Sequence, residues 1–325
     1  MNSRCRKYLS PSAYLRQALW VFNTHVLHSF DILTAPPFET TLKYPPVFII
    51  GAPRSGSTLL YQVLTDAFEL AYMSNRHCQF FGSPALAERL FKPLEHKTSS
   101  DYTSYHGQTK GPSAPSECGS WWYRFFRHDP AYVTLNDVAP RKMQEFRRSL
   151  LAFTQAAGKP VLFKNLYATI RLEAIGTFIP EALFIVIKRH ELFNAASILK
   201  GRKKALGNYE EWWSVPPPAV EQLKKRSPVQ QVVGQIRHIH HEIYRVVANG
   251  FIASNRIIEC HYETLCRDTP TVLHQVESFF HRHNVSVSRS SAVPKSFAIS
   301  NTFALDGNLL IELQRICLNH ESSHA

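Results

Sequence analysis

The chain has 325 residues, 44% of them hydrophobic, enough to bury the core of one large α/β domain or two small ones. Its formal charge of +12, from 37 Lys and Arg against 25 Asp and Glu, favours anionic ligands or surfaces. No apolar run reaches the length of a membrane span and no C-x-x-C pair marks a zinc site; zinc-finger spacing, RNA-binding sheet motifs and basic heptads are missing too, so no nucleic-acid partner is expected.

Residues 1–7 are basic, and 11–32 read as a helix. Asn23, His25 and His28 interrupt its apolar stretch, which makes a poor signal peptide. Two readings stay open for it: a basic amphipathic helix in peripheral contact with a membrane, or a helix packed on its own domain. A proline-containing linker, 34–46, leads to a strand at 47–50 and a helix at 57–68. A short strand at 70–73, a helix at 84–94 and a polar loop at 97–115, expected as a lid, follow. Helices are predicted at 117–127, very aromatic, and at 141–156. After these come a strand at 160–163, a helix at 167–178, a strand at 182–187 and a helix at 191–200. A loop with Trp212 and Trp213 spans 203–218. A long helix, 229–248, precedes the last clear strand, 256–260, and a helix at 270–281. The serine-rich tail, 285–304, is ambiguous, and 306–318 can close the chain as a helix. Strands alternating with helices imply an α/β fold with three layers: a mostly parallel central sheet with helices on both faces. The expected division is an N-terminal helix and linker at 1–45 and a single domain at 46–325. Six cysteines without a pairing pattern fit free thiols in a reducing compartment, so a cytoplasmic protein is expected, peripheral to a membrane if the first helix lies on one.

The chemistry concentrates at strand ends, where ligands of parallel sheets bind. The run Val47-Phe48-Ile49-Ile50-Gly51-Ala52-Pro53-Arg54-Ser55-Gly56-Ser57-Thr58 is strand, glycine loop, helix. Loop amides and a helix N-terminus make a phosphate cradle. Gly51, Gly56 and Thr58 fit the nucleotide P-loop spacing, but Ser57 stands at its lysine position. A triphosphate site then lacks its main cation at the terminal phosphates, and Arg54 is the loop's only fixed positive charge. At the end of the next long strand Arg189 offers a planar fork for a phosphate, and Ser197 adds a hydroxyl eight residues later. Lys164 ends the strand between them.

These motifs resemble those of the PAPS-dependent sulfotransferases, in the P-R-S-G-[ST]-[ST] form typical of carbohydrate-type and many bacterial members. The resemblance covers roughly residues 45–280. It implies a P-loop-like fold and 3′-phosphoadenosine 5′-phosphosulfate, PAPS, as donor, with no metal. Arg54, Ser55, Gly56, Ser57 and Thr58 would then hold the 5′-phosphosulfate, Arg189 and Ser197 the 3′-phosphate, and Lys164 the bridging oxygen. Two departures stand out. Arg189-His190-Glu191 replaces the common R-D-P, and Leu166 occupies the position of the histidine base of the cytosolic branch. The candidate base is Glu117, in a proline-then-glutamate segment like that of the carbohydrate-type members; a helix-terminal acid is the rival reading, and His77 and His106 are rival bases. His261-Tyr262-Glu263-Thr264-Leu265 resembles a segment of structural role and is kept outside the site, while Lys295 is a candidate to close over the 3′-phosphate.

The expected function is sulfuryl transfer from PAPS to a hydroxyl of a carbohydrate, glycolipid or other small acceptor. One alternative is a P-loop small-molecule kinase, which Lys188-Arg189 disfavours because a Walker-B acid belongs at such a strand end. Another is a non-catalytic nucleotide-binding module at an acidic membrane surface.

Overall fold

The computed structural model describes residues 11–91, 100–103, 109–289, 292–301, 303 and 305–321, with side chains described between residues 14 and 318. Helix α1 runs from Pro11–Val21 through a π-helical turn, Phe22–Leu27, into His28–Thr34. Strand β1, Val47–Gly51, feeds α2, Ser57–Ala67. The edge strand β2, Ala71–Tyr72, leads to α3, Asn75–Gln79, and α4, Pro84–Phe91. Next come α5, Gly119–Trp122, and α6, Pro140–Ala157. Strand β3, Val161–Lys164, is followed by a 3₁₀ segment, Leu166–Arg171, and α7, Leu172–Phe178. Strand β4, Leu183–Lys188, leads to α8, Glu191–Leu206, and α9, Pro228–Ala248. Strand β5, Ile257–His261, precedes α10, Tyr262–Arg267, α11, Thr269–Arg282, and α12, Gly307–Glu321.

The five strands form one sheet in the order β2-β3-β1-β4-β5, with every pairing parallel. The fully buried central strands read as continuous apolar runs, and period-2 alternation sorts their side chains into two cores. Val47, Ile49, Leu162, Ile185 and Ile187 meet α2, α10 and α11. Phe48, Phe163 and Phe184 point the other way and stack across neighbouring strands at 5.2 and 5.7 Å, against Trp121, Trp122 and Phe146. Each such ring pair contributes about 0.5–1.5 kcal/mol beyond its buried area. All the strands run the same way, so their carboxyl ends lie on one edge, where the site forms.

Three elements differ from expectation. The aromatic helix at 117–127 shrinks to α5, because Cys118 takes a left-handed conformation (φ 44°) just before it. Trp121, Trp122, Phe125 and Phe126 then pack around Phe146 as core. Helix α8 continues to Leu206, its last turn carrying Lys203 and Lys204, where cations meet the negative end of the helix dipole. The segment at 166–171 is 3₁₀ rather than α-helical. Of the expected lid, residues 97–99 and 104–108 lie outside the described residues, and the remainder holds no helix.

Candidate active site

A cavity of about 730 Å³ opens at the carboxyl edge of the sheet. Its floor is the loop after β1. Gly51 has φ +144°, and a Cβ there would sit 2.5 Å from the Ile187 carbonyl oxygen, so β1 and β4 approach this closely only with glycine. Arg54 follows in the left-handed region, φ 62°, a conformation uncommon for a residue with a side chain. Gly56 caps α2 with φ +95°, and a Cβ would collide with the Tyr262 ring at 2.4 Å. The first intrahelical bond runs from Leu60 N–H to Gly56 O, so the amides of Ser57, Thr58 and Leu59 stay free of the helix ladder and face an anion-binding point. Pro53, Arg54, Gly56, Ser57 and Thr58 line the cavity; Ser55 is fully buried beneath it and offers no side-chain surface to it.

Strand alternation delivers the cations. Leu162 faces α2, so Lys164, two residues on, does as well; its Nζ donates to Thr58 Oγ1 at 3.1 Å and contacts Glu117 Oε1. Glu117 is held by its neighbours: Ser116 N–H donates to Met73 O at 2.8 Å, and Asn165 Nδ2 donates to Glu117 O at 3.4 Å. It precedes α5 by two residues and pairs with Lys164. On β4, Ile185 and Ile187 face α2, and Arg189 emerges on the same side. Its guanidinium lies 4.6 Å over the Tyr262 ring, Nη1 donates to Arg54 O at 3.2 Å, and Nη2 donates to Asn301 Oδ1 at 3.1 Å and to Ser300 O. Its Nε is buried without a partner. Arg54 Nε donates to Ser197 Oγ at 3.3 Å.

Neither guanidinium is paired with a carboxylate among the described residues. Burial, and then the neighbouring Arg189 charge, pull Arg54 below the ordinary arginine value; burial pulls Arg189 down as well. Two desolvated like charges side by side are costly unless an anion joins them. The sites predicted from three separate strand ends thus converge: Arg54, Ser57, Thr58, Glu117, Lys164, Arg189 and Ser197 line one cavity.

Other residues change place. Tyr262, expected outside with a structural role, lines the cavity while serving that role: it fills the space against Gly56, and its hydroxyl accepts from Ser300 N–H at 3.1 Å. The stretch 294–300 lines one side of the cavity through Pro294, Ser296, Phe297, Ala298 and Ser300, whereas Lys295 is exposed and its carbonyl accepts from Thr269 N–H. Trp213 lines the cavity and Trp212 does not. His77 is buried away from it, its Nδ1 accepting Ser74 N–H at 3.0 Å and its Nε2 lying 3.2 Å from Glu88. His106 lies outside the described residues.

The model of the sulfotransferase family matches residues 45–283. The omega-hydroxy-beta-dihydromenaquinone-9 sulfotransferases Stf3 of Mycobacterium bovis and Mycobacterium tuberculosis are each 27% identical over 175 residues, 46% of this chain and 43% of the relative. The matched stretch therefore spans less than half the length of those relatives. Among solved structures, sulfotransferase STF1 from Mycobacterium tuberculosis superposes with a TM-score of 0.54 at 14% identity, covering 93% of this chain and 84% of that one. Sulfotransferase STF9 from Mycobacterium avium gives 0.51 at 15% identity, covering 90% and 72%. At such identities the likeness establishes the P-loop-like fold alone.

Proposed function

Because the chain belongs to the sulfotransferase family, we propose that it transfers a sulfuryl group from PAPS to an acceptor hydroxyl. The observation that carries this reading is a pair of guanidiniums, Arg54 half-buried and Arg189 buried, in one cavity with no carboxylate bonded to either among the described residues. The residues fit a bis-anionic nucleotide. The free amides at the start of α2 and Arg54 would hold the 5′-phosphosulfate. The unpartnered Nε of Arg189 and the Ser197 hydroxyl would hold the 3′-phosphate. Ser55 would contribute through its backbone only.

PAPS supplies an activated sulfuryl group. As its S–O bond breaks, negative charge builds on the bridging oxygen, and a preorganised cation there lowers the barrier. Lys164, buried and already bonded to Thr58, is that cation. Glu117 is the general base: its carboxylate is exposed to the cavity on one side and fixed by Lys164 on the other, so an acceptor hydroxyl reaching it meets both groups. Leu166, Tyr167, Trp213, Val215 and Phe297 on the cavity walls support an acceptor with an apolar body, such as a glycolipid or another lipid alcohol, over a free sugar. The omega-hydroxy group in the relative's name supports a hydroxyl as the receiving group. Radiolabelled PAPS offered with sugars, glycolipids and long-chain alcohols tests the proposal. Label on a lipid alcohol, lost in Glu117→Gln, is expected. Transfer of the γ-phosphate of ATP with no label from PAPS would overturn it.

A further inference from the structure

The apolar residues of α1 point the wrong way for a helix that serves only its own domain. Its seat is polar. Asn23 Nδ2 donates to Gln79 O at 2.9 Å, and its Oδ1 accepts from Gly82 N–H at 2.8 Å. Asp31 accepts from Ser83 Oγ at 3.0 Å, Ser149 Oγ at 2.6 Å and Arg124 Nη2 at 3.0 Å. With Leu27 these residues make the buried row at i, i+4 and i+8, and they fix which face looks out. The outward face carries Leu15, Trp20, Phe22, Val26, Phe30 and Leu33, with Leu15 72% and Leu33 83% exposed. In all, eight of the fourteen exposed large hydrophobic side chains among the described residues belong to this one helix. Such a concentration marks a surface that something covers.

Charge selects the occupant. Residues 1–30 contain Arg4, Arg6, Lys7 and Arg16 and no Asp or Glu. The first acid, Asp31, is turned inward onto Arg124. A second copy of the same helix would set cation against cation, whereas an anionic lipid headgroup layer complements the charge, and Trp20 and Tyr14 are the ring types that settle at headgroup level. No helix among the described residues is long and apolar enough to cross a membrane. We infer that α1 is an interfacial helix whose outward face lies in the surface of an anionic bilayer, seated on the domain through Asn23 and Asp31. The inference is independent of the donor and the reaction, since binding is read without turnover.

The test is sedimentation of the full chain with phosphatidylcholine vesicles, with and without phosphatidylserine. The chain should pellet with the anionic vesicles at low salt and be released at high salt. Leu15→Ser, Val26→Ser and Leu33→Ser together should lower partitioning by at least about ten-fold, because interfacial binding scales with the apolar area inserted. All three side chains are exposed, so the melting temperature should match the parent's, which separates lost binding from lost folding. Equal pelleting of parent and triple variant would overturn the inference. So would a parent chain that stays in the supernatant with both vesicle types, or one that light scattering shows as a dimer broken by the triple substitution.

Discussion

Arg189→Ala isolates the site for the second phosphate. The residue is 9% exposed, and its Nε is a buried donor with no protein partner. Truncating one member of a buried, hydrogen-bonded charge pair costs about 2–5 kcal/mol, or about 30- to 5,000-fold in Kd. Two features of the structure place the loss in the lower part of that range. Nη1 and Nη2 are already engaged by Arg54 O, Ser300 O and Asn301, so the ligand gains fewer new bonds than a free fork would offer. Removing Arg189 also relieves its repulsion of Arg54. A loss of about 100-fold for PAP is therefore expected. Adenosine 5′-phosphosulfate lacks the 3′-phosphate and should change by no more than about three-fold, within the ordinary non-additivity of such substitutions. Titration calorimetry with the two ligands measures the ratio directly. Arg54→Ala serves as the converse, weakening both ligands because both carry a 5′-phosphate. Equal losses for PAP and adenosine 5′-phosphosulfate in Arg189→Ala would refute the reasoning and make Arg189 a brace for Arg54 and the 294–300 strap.

Glu117→Gln keeps the shape beside Lys164 and removes basicity; kcat should fall about 10²–10⁴-fold with PAP affinity nearly unchanged, as steady-state kinetics and calorimetry will show. Gly56→Ala meets the Tyr262 ring at 2.4 Å and a φ of +95°, so it should lower both the melting temperature and PAP affinity, and Tyr262→Ala in the same chain should restore part of the affinity by opening the space. Burial, reinforced by the nearby Lys188 charge, pushes the His240 imidazole down to about 4. A histidine with a native value below the unfolded one contributes stability that is whole above about pH 6.5 and is lost as pH falls towards 4, at most about 3 kcal/mol. Denaturant unfolding between pH 7 and 4 should show that decline, flattened in His240→Gln; an unchanged slope would contradict the assignment.

The cradle and the cations were legible because each is local: a glycine loop between an apolar run and a helix, and a basic residue where a buried strand ends. What brings Arg54, Lys164 and Arg189 to one cavity is the parallel register of β3, β1 and β4, which strand–helix alternation already implies. The place of Tyr262 on the cavity wall was not legible, because it is set by a contact with Gly56 about two hundred residues away, and no spacing reports that. The 294–300 strap has no periodicity of its own; its placement rests on hydrogen bonds such as Phe297 N–H to Cys266 O and Thr269 N–H to Lys295 O. The aromatic run after Glu117 carried the pattern of a helix but buries its rings around Phe146 in turns, where core packing outweighs local preference. His77, a rival base by residue type alone, is spent capping α3.

The central claim is that this cavity takes a nucleotide with separate 5′ and 3′ anions and needs no divalent ion to do so. Calorimetric titration of the full chain with PAP and with ATP, each in EDTA and then in excess Mg²⁺, tests it most directly. The account predicts PAP binding of equal strength in both buffers and much weaker binding of ATP. Tight ATP binding that appears only with Mg²⁺, beside no heat from PAP, would contradict it.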